Sequence, residues 1–138
     1  MDLQLKGKTA VVTGGTRGIG RAIAETFADE GANVAICARK ADQVDEAVKA
    51  LQAKGVKAFG QVVDIADGPA LQGFVKAAGE ALGGIDVLVS NASALVQGNS
   101  EKDWQAMFDI DLLGAVRTFE AAQPSWPRPP RRRATRPS

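Results

Sequence analysis

Thr9-Ala10-Val11-Val12-Thr13-Gly14-Gly15-Thr16-Arg17-Gly18-Ile19-Gly20 passes from a short apolar, β-branched run into a cluster of glycines and then into helical periodicity. A strand that turns straight into a helix through glycines suits phosphate. Side chains at the turn would block a pyrophosphate from backbone N–H groups, and the helix amino terminus adds unpaired donors and partial positive charge. A tight turn without a ligand is the plainer alternative. Four glycines within Gly14–Gly20, at the start of a strand-helix-strand unit, favour phosphate binding.

The same alternation continues along the chain. Asn33-Val34-Ala35-Ile36-Cys37, Val56 to Val63 and Ile85-Asp86-Val87-Leu88-Val89 read as three further strands. The first, second and fourth strands are apolar on both faces, as in parallel strands covered by helices on each side. Between them lie apolar residues at helical spacing: Ile19, Ile23 and Phe27, then Val44, Val48 and Leu51, then Leu71, Phe74, Val75, Ala78 and Leu82. Gly31 and Gly55 close helices, and Asp67-Gly68-Pro69 opens the third. A last helix is expected from about Glu101 to Ala122, with Trp104, Met107, Phe108, Leu112, Ala115 and Phe119 on one face. The pattern predicts an α/β fold, a Rossmann-type doubly wound parallel sheet of order 3-2-1-4 that stops after strand four and helix four.

Composition bounds the chemistry. The 138 residues hold one Cys, Cys37, no His and no Tyr, so no metal site is expected, no disulfide can form within the chain, and histidine base chemistry is excluded. Cys37, at the end of an apolar strand, reads as a small core residue. Residues 1–123 carry 12 Lys/Arg against 16 Asp/Glu, whereas residues 124–138 carry five Arg and no acid. No apolar run approaches the ~18 residues of a membrane span, and the amino terminus lacks the pattern of a signal peptide, which predicts a cytoplasmic protein without a membrane partner.

Three motifs in order carry a family resemblance. Thr13-Gly14-x-x-x-Gly18-Ile19-Gly20, Asp64-Ile65 and Leu88-Val89-Ser90-Asn91-Ala92 resemble those of the short-chain dehydrogenase/reductases, nearest to the 3-oxoacyl-carrier-protein reductase type, over about Leu5 to Ala122. The resemblance implies an oxidoreductase that moves a hydride between a nicotinamide and a small-molecule carbonyl or alcohol. It implies that Gly14, Thr16, Arg17, Gly18, Ile19 and Gly20 hold the cofactor's phosphates and that Asp64 accepts a hydrogen bond from the adenine amine. Ile65 then packs beside that ring, and Asn91 and Ala92 floor the ribose and nicotinamide. Ser93 stands where the family usually has Gly.

NAD enzymes need a carboxylate roughly 20 residues past the glycine turn for the ribose 2′-hydroxyl. Strand two ends instead in Cys37-Ala38-Arg39-Lys40, and Arg39 with Arg17 suits a 2′-phosphate, which predicts NADP(H). Two solvated surface arginines are the alternative. In the family an Asn, a Ser and a Tyr-x-x-x-Lys pair assist hydride transfer, the Tyr giving its proton to the forming alkoxide. No Tyr is present, so the chain is read as a truncated or frameshifted fragment, inactive by that route. Asp111 occupies the Asn position. It is either the one catalytic candidate or a structural polar residue, and on the apolar stripe it must find donors or take up a proton.

Five of the six Pro fall at Pro124 and beyond, giving a domain over 1–122 and a Pro/Arg-rich disordered tail over 123–138. The tail reads as a frame-shifted product of GC-rich DNA, as a Pro127-x-x-Pro130 ligand, or as a basic contact to nucleic acid or membrane. The first is preferred, so neither nucleic acid nor membrane is an expected partner. The alternative to the reductase reading is a non-catalytic NADP(H)-binding or interaction module that uses this basic, proline-rich tail. An open fourth strand predicts self-association.

Overall fold

Strands β1 (Thr9–Thr13), β2 (Asn33–Ala38), β3 (Ala58–Val62) and β4 (Val87–Ser90) form one parallel sheet in the order β3-β2-β1-β4. These features come from a computed structural model, which describes residues 2–127. Helices α1 (Gly18–Asp29), α2 (Ala41–Gln52) and α3 (Gly68–Leu82) connect the strands. The expected architecture and strand order are both present.

The continuous apolar runs have a direct physical cause. Side chains alternate across a strand, and here both faces are covered. Val11, Ala35 and Cys37 point into one core with Leu71, Phe74, Val75 and Ala78 of α3, while Val12, Val34 and Ile36 point into the other with Ala24, Ala28, Ala47 and Leu51 of α1 and α2. Register is shared across the sheet, with Val11 level with Ala35 on one side and Leu88 on the other. Phe74, Leu71 and Ile36 are fully buried, each contributing about 1.5–3 kcal/mol of transfer free energy. Asp67 caps α3 by accepting the Ala70 N–H at 3.0 Å, with Pro69 in the first turn.

The structure shows β4 with the expected open edge among the described residues but not covered by helices on both faces: Val87, Leu88 and Val89 are only half-buried, because β4 pairs with β1 alone. The structure also corrects the last helix. Instead of one rod from Glu101 to Ala122 there are α4 (Glu101–Met107), a π-helical segment (Phe108–Leu112) and α5 (Leu113–Ala122). The Leu113 N–H reaches back five residues to the Phe108 carbonyl, which inserts one residue and rotates α5 relative to α4. The large apolar residues face outward: Trp104, Phe108, Leu112, Val116 and Phe119 are all exposed. The face that packs is made of small residues, Gly114, Thr118, Ala121 and Ala122, which lets α5 lie close to the body.

Residues 123–127, placed in the tail by composition, continue the packing. Gln123–Ser125 form a 3-10 turn, the Ser125 carbonyl accepts the Ile85 N–H at 2.9 Å, and the Trp126 ring meets Phe119 edge-on at 6.5 Å. Pro124 fits because the start of such a turn needs no N–H from it. The Arg-rich stretch from Arg128 onward lies outside the described residues. Among the described residues no helix is long and apolar enough to cross a membrane.

Candidate functional site

The glycine turn is built from the end of β1. Gly14 has φ +67°, in the left-handed region that a side chain disfavours, and its N–H donates to the Cys37 carbonyl of β2 at 2.9 Å. Gly20 is required by packing. A Cβ there would drive into the Gly14 carbonyl oxygen and the Asn91 carboxamide nitrogen, so only glycine lets α1 start this close to the sheet. Arg17 precedes α1 in an extended conformation, and its side chain does not cap the helix. With no acid in the first turn of α1, the amides there and their positive end of the dipole are left to an external anion.

A cleft of about 570 Å³ opens where the carboxyl ends of all four strands converge. Its walls include Gly14, Thr16, Arg17, Gly18 and Ile19 after β1, Arg39 after β2, Asp64 and Ile65 after β3, and Asn91 and Ala92 after β4. Ten of the residues nominated from sequence thus converge, and Gly20, the eleventh, packs behind the turn. A crevice at the switch between β1 and β4 is where sheets of this type bind ligands. Ile19, read from periodicity as part of a core stripe, is instead 75% exposed at this wall. The cations Arg17, Arg39 and Lys40 face one carboxylate, Asp64, so the cleft favours an anion. One Asp64 oxygen accepts the Ala66 N–H at 3.0 Å, which fixes the loop after β3.

The loop after β4 is fastened to the glycine turn. Thr13 Oγ1 accepts N–H groups from Asn91 at 3.1 Å and Ala92 at 3.2 Å while donating to the Val89 carbonyl at 3.5 Å, which uses its full capacity. The Asn91 carboxamide donates to the Gly14 carbonyl at 3.1 Å. Beyond it, Asp111 Oδ1 accepts the Ala94 N–H at 2.8 Å, and Ser93 Oγ accepts the Leu95 N–H at 3.1 Å. Asp111 therefore finds a donor, one of the two outcomes expected of a carboxylate at this position, and it is exposed rather than held on an apolar stripe. It lies on the exposed side of the π-helical segment and is not part of the cleft wall.

Sequence reasoning missed Lys40, Gln43, Leu95 and Ile110 as wall residues. Lys40 was legible beside Arg39, whereas Leu95 and Ile110 reach the cleft only through the path of the loop and the π-helical segment. Cys37 is fully buried, and burial pushes its thiol up to about 12, so it is a core residue rather than a nucleophile. A second, more open depression of about 780 Å³ beside α4 shares only Ala106 and Ile110 with the cleft. Among the described residues no group of three His, Cys, Asp or Glu is placed to hold a metal.

Comparison with known proteins agrees with this geometry. The 3-oxoacyl-(acyl-carrier-protein) reductase FabG of Staphylococcus epidermidis is 35% identical over 122 residues, which are 85% of this chain and 50% of the reductase. A short chain dehydrogenase from Burkholderia cenocepacia, crystallised in complex with NADP, superposes with a TM-score of 0.84 at 36% identity, covering 88% of this chain and 52% of that one. An NAD+-bound xylitol dehydrogenase superposes with a TM-score of 0.81 at 28% identity, covering 88% and 49%. The chain spans about half the length of these relatives. The sequence model of the short chain dehydrogenase family matches residues 8–133, past the Ala122 at which the motif resemblance ends. A glycine turn, an anion-favouring cleft at the strand ends and a match over most of the chain lead to one statement: this chain belongs to the short chain dehydrogenase family.

Proposed function

We propose that this chain is the cofactor-holding part of an NADP(H)-dependent oxidoreductase acting on a small carbonyl or alcohol. The observation that carries the reading is the placement of Arg17, Arg39 and Lys40, with no acid at the end of β2, in the same cleft as the glycine turn. The residues fit the cofactor. Gly14 and Gly20 let the turn and α1 close against Asn91 and Ala92, Gly18 stands at the cleft wall with open space where a Cβ would be, and the first turn of α1 offers amides to the pyrophosphate. Arg17 and Arg39 take the 2′-phosphate through charge-assisted hydrogen bonds. Asp64 accepts from the adenine amine, Ile19 and Ile65 supply apolar contact, and Asn91 and Ala92 form the floor beneath the ribose and nicotinamide. When bound, the nicotinamide supplies or accepts the hydride.

Proton transfer is assigned elsewhere. The 138 residues contain neither Tyr nor His, so the phenolic acid of the family mechanism is not among them. These residues bind and orient the cofactor without completing turnover. The test is to follow NADPH absorbance with this chain and a panel of ketones and aldehydes while monitoring binding by NADPH fluorescence. Binding without oxidation is expected. Sustained NADPH oxidation by these 138 residues would overturn the division of labour.

A further inference from the structure

The Arg21 guanidinium joins the glycine turn to α2. Its Nε donates to Glu25, one turn further along α1, at 2.9 Å, while its Nη1 donates to the Thr16 carbonyl at 3.4 Å and pairs with Glu46 of α2 at 3.5 Å. Each contact alone is weak, because exposed ion pairs add little to stability. Together they fix a direction. A planar guanidinium held by three acceptors keeps one orientation, which a flexible ammonium in its place would not.

The cations of the cleft stand at the starts of the two helices that Arg21 links. Arg17 immediately precedes α1, and Arg39 and Lys40 immediately precede α2. Gln43, another wall residue, lies three positions before Glu46 and so on the same face of α2. Thr16 is buried, and a trans peptide sets its C=O and the Arg17 N–H in opposite directions, so anchoring the Thr16 carbonyl fixes the plane from which Arg17 leaves the turn. Like charges on one wall repel. Without a tie, Arg17 would draw away from Arg39 and Lys40 in the cofactor-free chain, and binding would have to bring them back. We infer that Arg21 is a positioning residue for cofactor selectivity: through Thr16 and Glu46 it holds the starts of α1 and α2 at the spacing at which Arg17 and Arg39 share one 2′-phosphate. The inference rests on the NADP(H) reading.

A second ion pair supplies the control. Lys54, just past α2, pairs with Asp29 at the far end of α1, away from the cleft. Arg21→Ala and Glu46→Ala should each weaken NADPH by about threefold to tenfold, the effect of one hydrogen bond, with NADH affinity unchanged. Lys54→Ala should bind both cofactors like the wild type. Glu46→Ala separates position from field: it removes a negative charge, so the field alone would tighten NADPH, whereas loss of the tie weakens it. In the cofactor-free chain, NMR relaxation should show the Arg17 and Lys40 amides gaining mobility in Arg21→Ala and Glu46→Ala and not in Lys54→Ala. Three results would overturn the role of Arg21: NADPH affinity not reduced in either Arg21→Ala or Glu46→Ala, equal loss of NADPH and NADH, or the same NADPH loss in Lys54→Ala. If the wild-type chain binds neither cofactor, the NADP(H) reading fails, and amide relaxation decides the tie by itself.

Discussion

The Asn91 carboxamide donates a hydrogen bond to the carbonyl oxygen of Gly14 at 3.1 Å, joining the loop after β4 to the glycine turn across 77 positions of sequence. Gly20 lies against both groups. The three residues lock the floor of the cleft to its phosphate-facing wall. The arrangement makes the turn rigid before any ligand arrives, which lowers the ordering cost of binding.

Gly20→Ala should therefore be the most damaging small substitution in the turn. Its methyl group would meet backbone at Gly14 and the amide at Asn91, and overpacking of this kind costs about 1–3 kcal/mol. A lower urea midpoint with loss of NADPH binding is expected. A midpoint equal to that of the wild type would show that α1 can shift without penalty.

Arg39→Ala should separate the two nicotinamide cofactors. Removing a charge-assisted contact to a 2′-phosphate costs about 1.5–3 kcal/mol, roughly tenfold to a hundredfold in NADPH affinity. NADH affinity should stay unchanged. Calorimetric titration of both cofactors reads the difference.

Alkaline pH should destabilise the fold through Cys37. Burial raises its thiol from the ordinary 9.0 to about 12, with the Gly14 backbone hydrogen bond pulling weakly the other way. Between those values the unfolded chain has lost the proton that the folded chain keeps. Stability is therefore fully present below about pH 9 and falls as pH rises toward 12, by up to about 1.4 kcal/mol per pH unit. Urea midpoints across this window should fall less steeply in Cys37→Ala than in the wild type.

The outward row of Trp104, Phe108, Leu112, Val116 and Phe119, together with the open edge of β4, should drive self-association. Sedimentation velocity is expected to show mass increasing with concentration. Leu112→Glu should shift the population toward monomer, because that side chain is exposed and its replacement costs the folded chain little. A wild-type chain that stays monomeric across the same range would contradict this.

Much of this structure was legible from residues alone, and the reason is local. β1 and β2 are buried on both faces, so their apolar runs are unbroken, and the glycines after β1 answer to constraints within a few residues of themselves. The parts that were not legible depend on distant contacts. Nothing in Phe108-Asp109-Ile110-Asp111-Leu112 announces a π-helical segment, since no Gly or Pro interrupts it and the extra residue is a choice of register. Asp111 was placed by assuming an uninterrupted α-helix, and its partner, Ala94, lies 17 residues away in an irregular loop. Pro124 read as a terminator, yet Ser125 and Trp126 carry the chain back onto Ile85 and Phe119. Composition registered the change near Gln123 but not the packing that extends beyond it.

The central claim is that the cleft at the strand ends selects a cofactor bearing a 2′-phosphate. Isothermal titration of the wild-type chain with NADPH and NADH, under identical ionic strength, tests it most directly. The account predicts one site per chain and at least a tenfold preference for NADPH, weakening as salt screens Arg17, Arg39 and Lys40. Equal affinity for the two cofactors, or a preference for NADH, would contradict it.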